Sequence, residues 1–315
     1  MRSNNPAEHF TKDTMTLAPI ALFTYKRLRH TQQTIEALRR NELAGESDLF
    51  IFSDGPRIGR DLRPVNEVRD YIKRIDGFRR VTVIERDRNL GLAVSIISGV
   101  TEIVNQYGKI VVLEDDMVTS PYFLTYMNEA LALYQDDERV ISIHGYLYPL
   151  RARLPETFFL LGADCWGWAT WKRGWGLFES DGEKLLQELT QRRLLERFNL
   201  YGVYPYARML RDQIKKKNDS WAVRWYASAL LNDKLTLYPG QSLVQNIGLD
   251  RSGMHCKSTY AFDTALSSKP ICVRRIELAE NNDALKEVIR YFKAQKFSHA
   301  TALLGRVKEL LCRRP

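Results

Sequence analysis

Three consecutive acids directly after an apolar run are the residues best suited to chemistry. Residues 110–113 are all apolar, and Glu114, Asp115 and Asp116 follow them. An apolar run of this length, bounded by polar residues, predicts a buried parallel strand. Ligands bind at the carboxyl ends of such strands, and neighbouring carboxylates repel one another unless a proton or a hard cation lies between them. We therefore expect Mn²⁺ or Mg²⁺ here, bridging to a phosphate; a solvated acidic turn is the alternative.

The acids must be positioned by the alternation of short apolar runs and helical periodicity in the first half of the chain. Predicted strands are 20–25, 48–52, 81–84, 109–113 and 140–144, and predicted helices are 31–40, 65–75 and 92–107. Connections of this length exclude hairpins and imply right-handed crossovers, so we expect a parallel sheet covered on both faces. Ser120 and Pro121 suit the N-cap and first position of a further helix. The carboxyl edge of this sheet gathers the strand ends 25–27, 53–55 and 89–91 beside the acids.

The second half of the sequence carries a tryptophan cluster and a glycine-bearing loop. Four tryptophans fall within ten positions, and they are Trp166, Trp168, Trp171 and Trp175. The last three fit one face of a helix, which predicts packing, although aromatic rings also suit the apolar faces of sugars. A strand is predicted at 234–239, and residues 242–255 are expected to form a mobile, ligand-facing loop.

Composition and charge restrict the class of protein. With 315 residues, 44% of them hydrophobic and 27% charged, the chain matches a globular protein of one large or two smaller domains. No apolar stretch is long enough to cross a bilayer, and residues 1–20 lack the apolar segment of a signal peptide, so we expect a cytoplasmic protein. The net charge of +9 favours anionic partners, but the basic clusters are scattered without a reading motif, so no nucleic acid is expected.

The cysteines and the C-terminal region complete the sequence pattern. Cys165, Cys256, Cys272 and Cys312 form no CxxC pair, so a zinc site or a disulfide framework is not expected. Residues 276–314 are mostly helical in pattern and basic, with apolar positions 285–292 and 303–311. They predict two helices docked on the domain, or a peripheral contact with the inner face of an anionic membrane.

Four segments in this order resemble glycosyltransferases of the GT-A fold. They are residues 113–116, 165–171, 219–221 and 246–255. The pattern is most similar to the bacterial family-2-like sugar transferases and to the eukaryotic N-acetylglucosaminyltransferase I family, over residues 18 to 256. The resemblance implies a Rossmann-like α/β fold with a mixed, mainly parallel sheet flanked by helices. It divides the chain into a flexible arm (1–16), a nucleotide-sugar-binding half (17–150), an acceptor-binding and catalytic half (151–260) and a C-terminal helical extension (261–315).

By this resemblance, each chemical role falls on a residue of the present sequence. Asp116 would bind Mn²⁺ (or Mg²⁺), with His255 as a further ligand. Asp219 would take the proton from an acceptor hydroxyl, which implies inversion; otherwise Asp219 is the N-cap of a helix at 220–231. The donor would contact Thr24, Tyr25, Arg27, Asp54, Asn89, Gly91, Glu114 and Asp115. The acceptor would contact Trp166, Gly167 and Trp168.

The activity implied is metal-dependent, inverting transfer of a hexosyl or N-acetylhexosaminyl group. The donor would be a nucleotide sugar, with a UDP-sugar expected, and the acceptor a glycan or lipid-linked hydroxyl in surface polysaccharide or glycoconjugate synthesis. A nucleotidyltransferase that forms nucleotide sugars would need a glycine-rich phosphate loop after the first strand, but the first glycine is Gly45. A non-catalytic carbohydrate-binding protein would leave the three acids unexplained.

Overall fold

The structure, a computed structural model, describes residues 16–250 and 260–295. Its strands are β1 (Ile20–Thr24), β2 (Asp48–Ser53), β3 (Arg80–Glu85), β4 (Lys109–Glu114), β5 (Met117–Thr119), β6 (Val140–His144), β7 (Thr157–Leu161), β8 (Trp168–Trp171), β9 (Leu235–Pro239) and β10 (Val244–Asn246). Its helices are α1 (Leu28–Arg39), α2 (Leu62–Ile72), α3 (Leu92–Tyr107), α4 (Phe123–Leu133), α5 (Lys172–Trp175), α6 (Gly182–Gln191), α7 (Leu195–Phe198), α8 (Tyr206–Ile214), α9 (Trp221–Leu231) and α10 (282–295). Predictions for residues 1–15, His255, Cys256, positions 303–311 and Cys312 lie outside the described residues.

The first half of the chain builds a parallel sheet in the order β3-β2-β1-β4. Side chains alternate across each strand, so Ile20 and Leu22 pack with α1 and α2, whereas Ala21 and Phe23 pack with α3 on the opposite face. This confirms the predicted parallel arrangement with helices on both faces. The carboxyl ends of β1, β2, β3 and β4 consequently share one edge.

The second half extends the same sheet to eight strands, in the order β4-β8-β6-β9-β7. Strand β8 runs antiparallel to β4 and β6, β6 runs parallel to β9, and β7 runs antiparallel to β9. The sheet is therefore mixed and mainly parallel, flanked by helices, as predicted.

The tryptophan segment forms a strand, so the prediction that its tryptophans share a helical face is wrong. Trp168 and Trp171 lie on β8, between β4 and β6, and Trp175 lies on the short helix α5. Because alternate residues of a strand point to opposite faces, Trp168 packs on the α3 side of the sheet and Trp171 on the α4 side. The strand ladder with two neighbours overrides a spacing that also fits a helix.

A second, two-stranded sheet holds the chain after the acids. Strand β5 pairs antiparallel with β10, and Ser120 N donates to Leu243 O at 2.8 Å. This pairing keeps the backbone extended, so α4 begins at Phe123 with Tyr122 as its N-cap residue rather than at the predicted Ser120. The side chain of Ser120 instead donates to Ser267 O at 2.7 Å.

The C-terminal helix α10 docks on the domain through its apolar face, as predicted. Leu285, Val288 and Phe292 are buried in a cluster with Phe158 and Tyr238. Because this face is used internally, it is not available to a bilayer, which contradicts the predicted membrane contact for this helix. No helix within residues 16–250 and 260–295 is long and apolar enough to span a membrane.

Candidate active site

The three acids lie at the carboxyl edge of the sheet, where the sequence predicts them. Glu114 ends β4, and Asp115 and Asp116 form the turn into β5, both with nearly buried side chains. Thr34 Oγ1 donates to Asp115 O at 2.9 Å, and Ile247 N donates to Asp116 O at 2.9 Å. The turn is thus fixed between α1 and the residue that follows β10.

Arg27 provides a cation inside this cluster. It follows β1, the neighbour of β4, and its Nη2 donates to Asp115 Oδ1 and, at 2.7 Å, to Asp116 Oδ2. Burial lowers the pKa of the guanidinium, but Asp115 and Asp116 outweigh it and raise that pKa above its usual value. The sequence pattern assigns Arg27 to the nucleotide and does not reveal this ion pair, which depends on contacts 88 and 89 residues apart.

One arginine does not neutralise three carboxylates. Burial raises the pKa of Glu114 to about 8, and the charges on Asp116 and Asp115 add to the effect. Burial also raises the pKa of Asp115 to about 6, against the opposing effect of Arg27. The cluster therefore keeps a proton near neutral pH or attracts a further cation.

The segment after β10 passes directly over the ion pair. A Cβ added to Gly248 would lie 2.0 Å from Asp116 Oδ2 and 2.9 Å from Arg27 Nη1, so only glycine fits against this carboxylate. Asp250 Oδ2 lies 3.2 Å from His30 Nε2 on α1, which ties the segment to the other side of the cluster. The sequence pattern marks 242–255 as a ligand-facing loop, and its described part does cover the acids.

One oxygen of the cluster suits a divalent cation. Asp116 Oδ1 is buried without a hydrogen-bond partner among the described residues. No group of three or more His, Cys, Asp and Glu side chains in that part of the chain could hold a metal by itself. Mn²⁺ and Mg²⁺ are commonly held by one or two carboxylates together with substrate phosphates and water. Asp116 therefore fits a cation that arrives with a diphosphate, and a preformed protein cage is not observed in the described residues.

Asp54 organises a second part of the same edge. Its Oδ1 accepts from Leu90 N at 2.8 Å, and its Oδ2 accepts from Gly91 N at 3.0 Å and from Asn89 Nδ2 at 2.9 Å. Asp54 N in turn donates to Thr24 O at 3.1 Å. Thr24, Asp54, Asn89 and Gly91 are thus brought together in one hydrogen-bonded group, and the contact of Asp54 with a nucleotide base stays a prediction.

Asp219 lies beside this group and does not cap α9. The N-cap is Ser220, whose Oγ accepts from Val223 N at 3.2 Å, so the predicted capping role of Asp219 is wrong. A Cβ added to Gly91 would lie 3.4 Å from Asp219 Oδ2. The solvent-exposed carboxylate of Asp219 therefore faces the turn that Asp54 holds.

Tyr25 fastens a neighbouring loop. Its hydroxyl donates to Asp61 Oδ2 at 2.9 Å and accepts from Arg57 N at 3.0 Å, and burial raises its pKa. Lys26 Nζ lies 2.7 Å from Asp61 Oδ1. The loop 56–61 is thereby held against the end of β1, a role that the sequence pattern does not indicate.

The tryptophan segment runs close to the acids. Burial raises the pKa of the Cys165 thiol, with contributions from Asp164, Glu114 and Asp116 that place the thiol near the acids. Trp168 is only 1% exposed and packs against other tryptophans of the core, and Gly167 O accepts from Gly145 N at 2.7 Å. Of the three predicted acceptor residues, Trp166 is the one with a partly exposed side chain.

Comparisons with known proteins give weak structural likenesses. Neither a protein-family profile nor the sequence of a curated protein matches this chain. Among solved structures, the chain is similar to the mannosyltransferase PcManGT of Pyrobaculum calidifontis, described in complex with GDP-Man and Mn²⁺, at 11% identity and a TM-score of 0.31 over 44% of this chain and 39% of that one. It is also similar to S. aureus TarS, at 12% identity and a TM-score of 0.29 over 47% of this chain and 25% of that one. A TarS structure of residues 1–349 gives 9% identity and a TM-score of 0.32 over 51% and 48%.

The matched region spans less than half of each of these solved chains. At such identities and TM-scores the likeness says nothing about the reaction or its substrates. Any function must be argued from the residues at the carboxyl edge.

Proposed function

We propose that this protein is a metal-dependent glycosyltransferase that moves a sugar from a nucleotide-sugar donor to an acceptor hydroxyl. The observation that carries the proposal is the meeting of two unlike groups at one edge of the sheet. One is the covered Arg27–Asp115–Asp116 cluster, with an unpartnered buried oxygen on Asp116. The other is the exposed carboxylate of Asp219, which faces the turn held by Asp54.

The first group suits the leaving side of the reaction. When the bond between the anomeric carbon and the diphosphate breaks, its electron pair goes to the diphosphate, where negative charge accumulates. Arg27 is a fixed cation at this edge, and such preorganised charge is a large source of transition-state stabilisation. Mn²⁺ or Mg²⁺ bound with the diphosphate at Asp116 would supply further positive charge.

Asp219 suits the attacking side. The acceptor hydroxyl forms the new bond to the anomeric carbon while its proton passes to the Asp219 carboxylate, so a single displacement inverts the anomeric configuration. Trp166, the partly exposed tryptophan near the acids, would pack against the acceptor sugar ring. We assign the donor to residues 17–150, with UDP as the expected nucleotide, and the acceptor to residues 151–260.

The metal role is tested by Asp116→Asn, with Asp70→Asn on the exposed side of α2 as the matched control. Mn²⁺-dependent thermal stabilisation by UDP, GDP and their sugars should identify the nucleotide and disappear in Asp116→Asn alone. Slow hydrolysis of the stabilising nucleotide sugar should likewise stop with EDTA. Normal Mn²⁺-dependent donor binding by Asp116→Asn would remove the metal from this site.

The proton-transfer role is tested by Asp219→Asn. Donor binding should be retained while transfer falls by about 10²- to 10⁴-fold, the usual contribution of a general base. Ser220→Ala is the control, because it removes the helix cap next to Asp219 without touching the carboxylate. Near-normal transfer by Asp219→Asn would exclude Asp219 as the base.

A further inference from the structure

Exposed apolar side chains concentrate at the same edge as the candidate active site. The described residues contain six exposed large hydrophobic side chains, and four of them are Ile58 (46% exposed), Leu62 (50%), Leu92 (44%) and Val94 (50%). Ile58 and Leu62 follow β2, and Leu92 and Val94 form the first turn of α3, after β3. Since β2 and β3 are parallel neighbours, both pairs stand at the carboxyl edge.

The two loops that carry these side chains are joined to each other. Asn89 Nδ2 donates to Gly55 O at 2.9 Å, and a Cβ added to Gly55 would lie 2.5 Å from the backbone of Arg88. Arg69 Nη2 also donates to Arg86 O at 2.7 Å. The loops therefore form one continuous surface, the basic rim, which comprises residues 56–63 and 86–94.

The basic rim carries a clear surplus of positive charge. Residues 56–63 and 86–91 contain five arginines and only two aspartates. Arg57, Arg60 and Arg88 are exposed, and no salt bridge within residues 16–250 and 260–295 involves them. One of the two aspartates, Asp61, is buried and paired with Lys26, so it does not offset the exposed arginines.

We propose that the basic rim docks this protein on an anionic lipid bilayer. Exposed arginines attract a negatively charged leaflet, and apolar side chains between them enter the boundary between headgroups and acyl chains. A soluble acidic partner would need the arginines but gives no reason for the four exposed aliphatic side chains. The rim adjoins Gly91, which lies beside Asp219, so docking turns the open edge of the candidate active site toward the bilayer.

This inference goes beyond the proposed transfer and does not depend on it, because lipid binding is measured without donor, acceptor or metal. The full-length protein is sedimented with sucrose-loaded vesicles of phosphatidylcholine, alone or mixed with phosphatidylglycerol. Binding should require phosphatidylglycerol and should weaken as NaCl is added, because salt screens the arginines. Failure of the unaltered protein to bind the mixed vesicles would overturn the proposal.

Three double variants separate the contributions. Arg57→Gln with Arg60→Gln should lower the partition onto mixed vesicles about 25-fold, roughly fivefold for each arginine near an anionic surface. Ile58→Ser with Leu62→Ser should lower it roughly tenfold through lost apolar burial. The control, Arg208→Gln with Arg211→Gln, removes the same charge from α8, outside the rim, and should bind as the unaltered protein does.

The control and the state of association decide between explanations. An equal loss in the α8 control would show that only net charge matters and would overturn the assignment to the rim. Size-exclusion chromatography without lipid should give one unchanged species for all variants. A dimer that Ile58→Ser with Leu62→Ser dissociates would make the rim an interface between copies of this chain and would also overturn the proposal.

Discussion

Replacing Gly248 by alanine tests whether the segment after β10 is built directly on the ion pair of Arg27 and Asp116. The new Cβ would lie 2.0 Å from Asp116 Oδ2, 2.8 Å from Asp116 Cγ and 2.9 Å from Arg27 Nη1. Ordinary contact begins near 3.4 Å, so the methyl group overlaps the carboxylate oxygen by ~1.4 Å, the difference between the two distances. Neither neighbour is the free end of a flexible chain, since the two hold each other at 2.7 Å.

The overlap can be relieved only by rotating Asp116 or by moving the backbone near Gly248 away. Overpacking of this kind costs about 1–3 kcal/mol of unfolding free energy, which lowers Tm by about 2–10 °C in a domain of this size. Rotation also breaks the charge-assisted hydrogen bond to Arg27, so Mn²⁺-dependent binding of UDP should weaken about 10- to 100-fold. A displacement of about 1 Å at a reacting centre lowers the rate of transfer about 100-fold.

Isothermal titration with UDP in Mn²⁺ and thermal unfolding without ligand give the two readouts. Gly45→Ala is the matched control, because a Cβ at Gly45 meets no atom within 4 Å. That variant should keep the Tm and the affinity of the unaltered protein. If Gly248→Ala also keeps both, the segment does not rest on Asp116 and the described arrangement of the site is refuted.

Three further predictions concern stability. Burial lowers the pKa of His144 below 6.5, against a smaller opposing effect of Asp164, so unfolding lets the imidazole bind a proton; the unfolding free energy should fall as pH drops below about 6.5, by up to about 1.4 kcal/mol per pH unit. Urea titrations across this range should show a shallower slope for His144→Phe, and equal slopes would contradict the assignment. Ser220→Ala should cost about 0.5–2 kcal/mol through the lost cap, whereas Asp219→Ala should change stability by less than about 0.5 kcal/mol; the reverse order in urea unfolding would return the cap to Asp219. Trp168→Ala should cost about 3–5 kcal/mol, and a small change would show that Trp168 is not in the core.

Local patterns account for the parts of the fold that sequence reasoning predicts well. The strands before the acids are short apolar runs bounded by turns, and α3 ends at Gly108 in the left-handed conformation that favours glycine. The segment around Trp168 fails the same treatment, because a spacing of three to four residues also occurs in a strand whose faces are both buried. Its pairing with β4 and β6 is decided by partners about 25 to 60 residues away.

For the candidate site, the amino-acid sequence determines which chemical groups are delivered to the carboxyl edge. Glu114, Asp115 and Asp116 come at the end of an apolar strand, and a parallel sheet places all such ends together. Only the tertiary structure decides which groups touch. It sets Arg27 between two aspartates, closes Gly248 over Asp116, and gives the helix cap to Ser220 so that Asp219 faces Gly91. These contacts join residues that are distant along the chain, and they depend on side-chain packing and charge balance that no local pattern records.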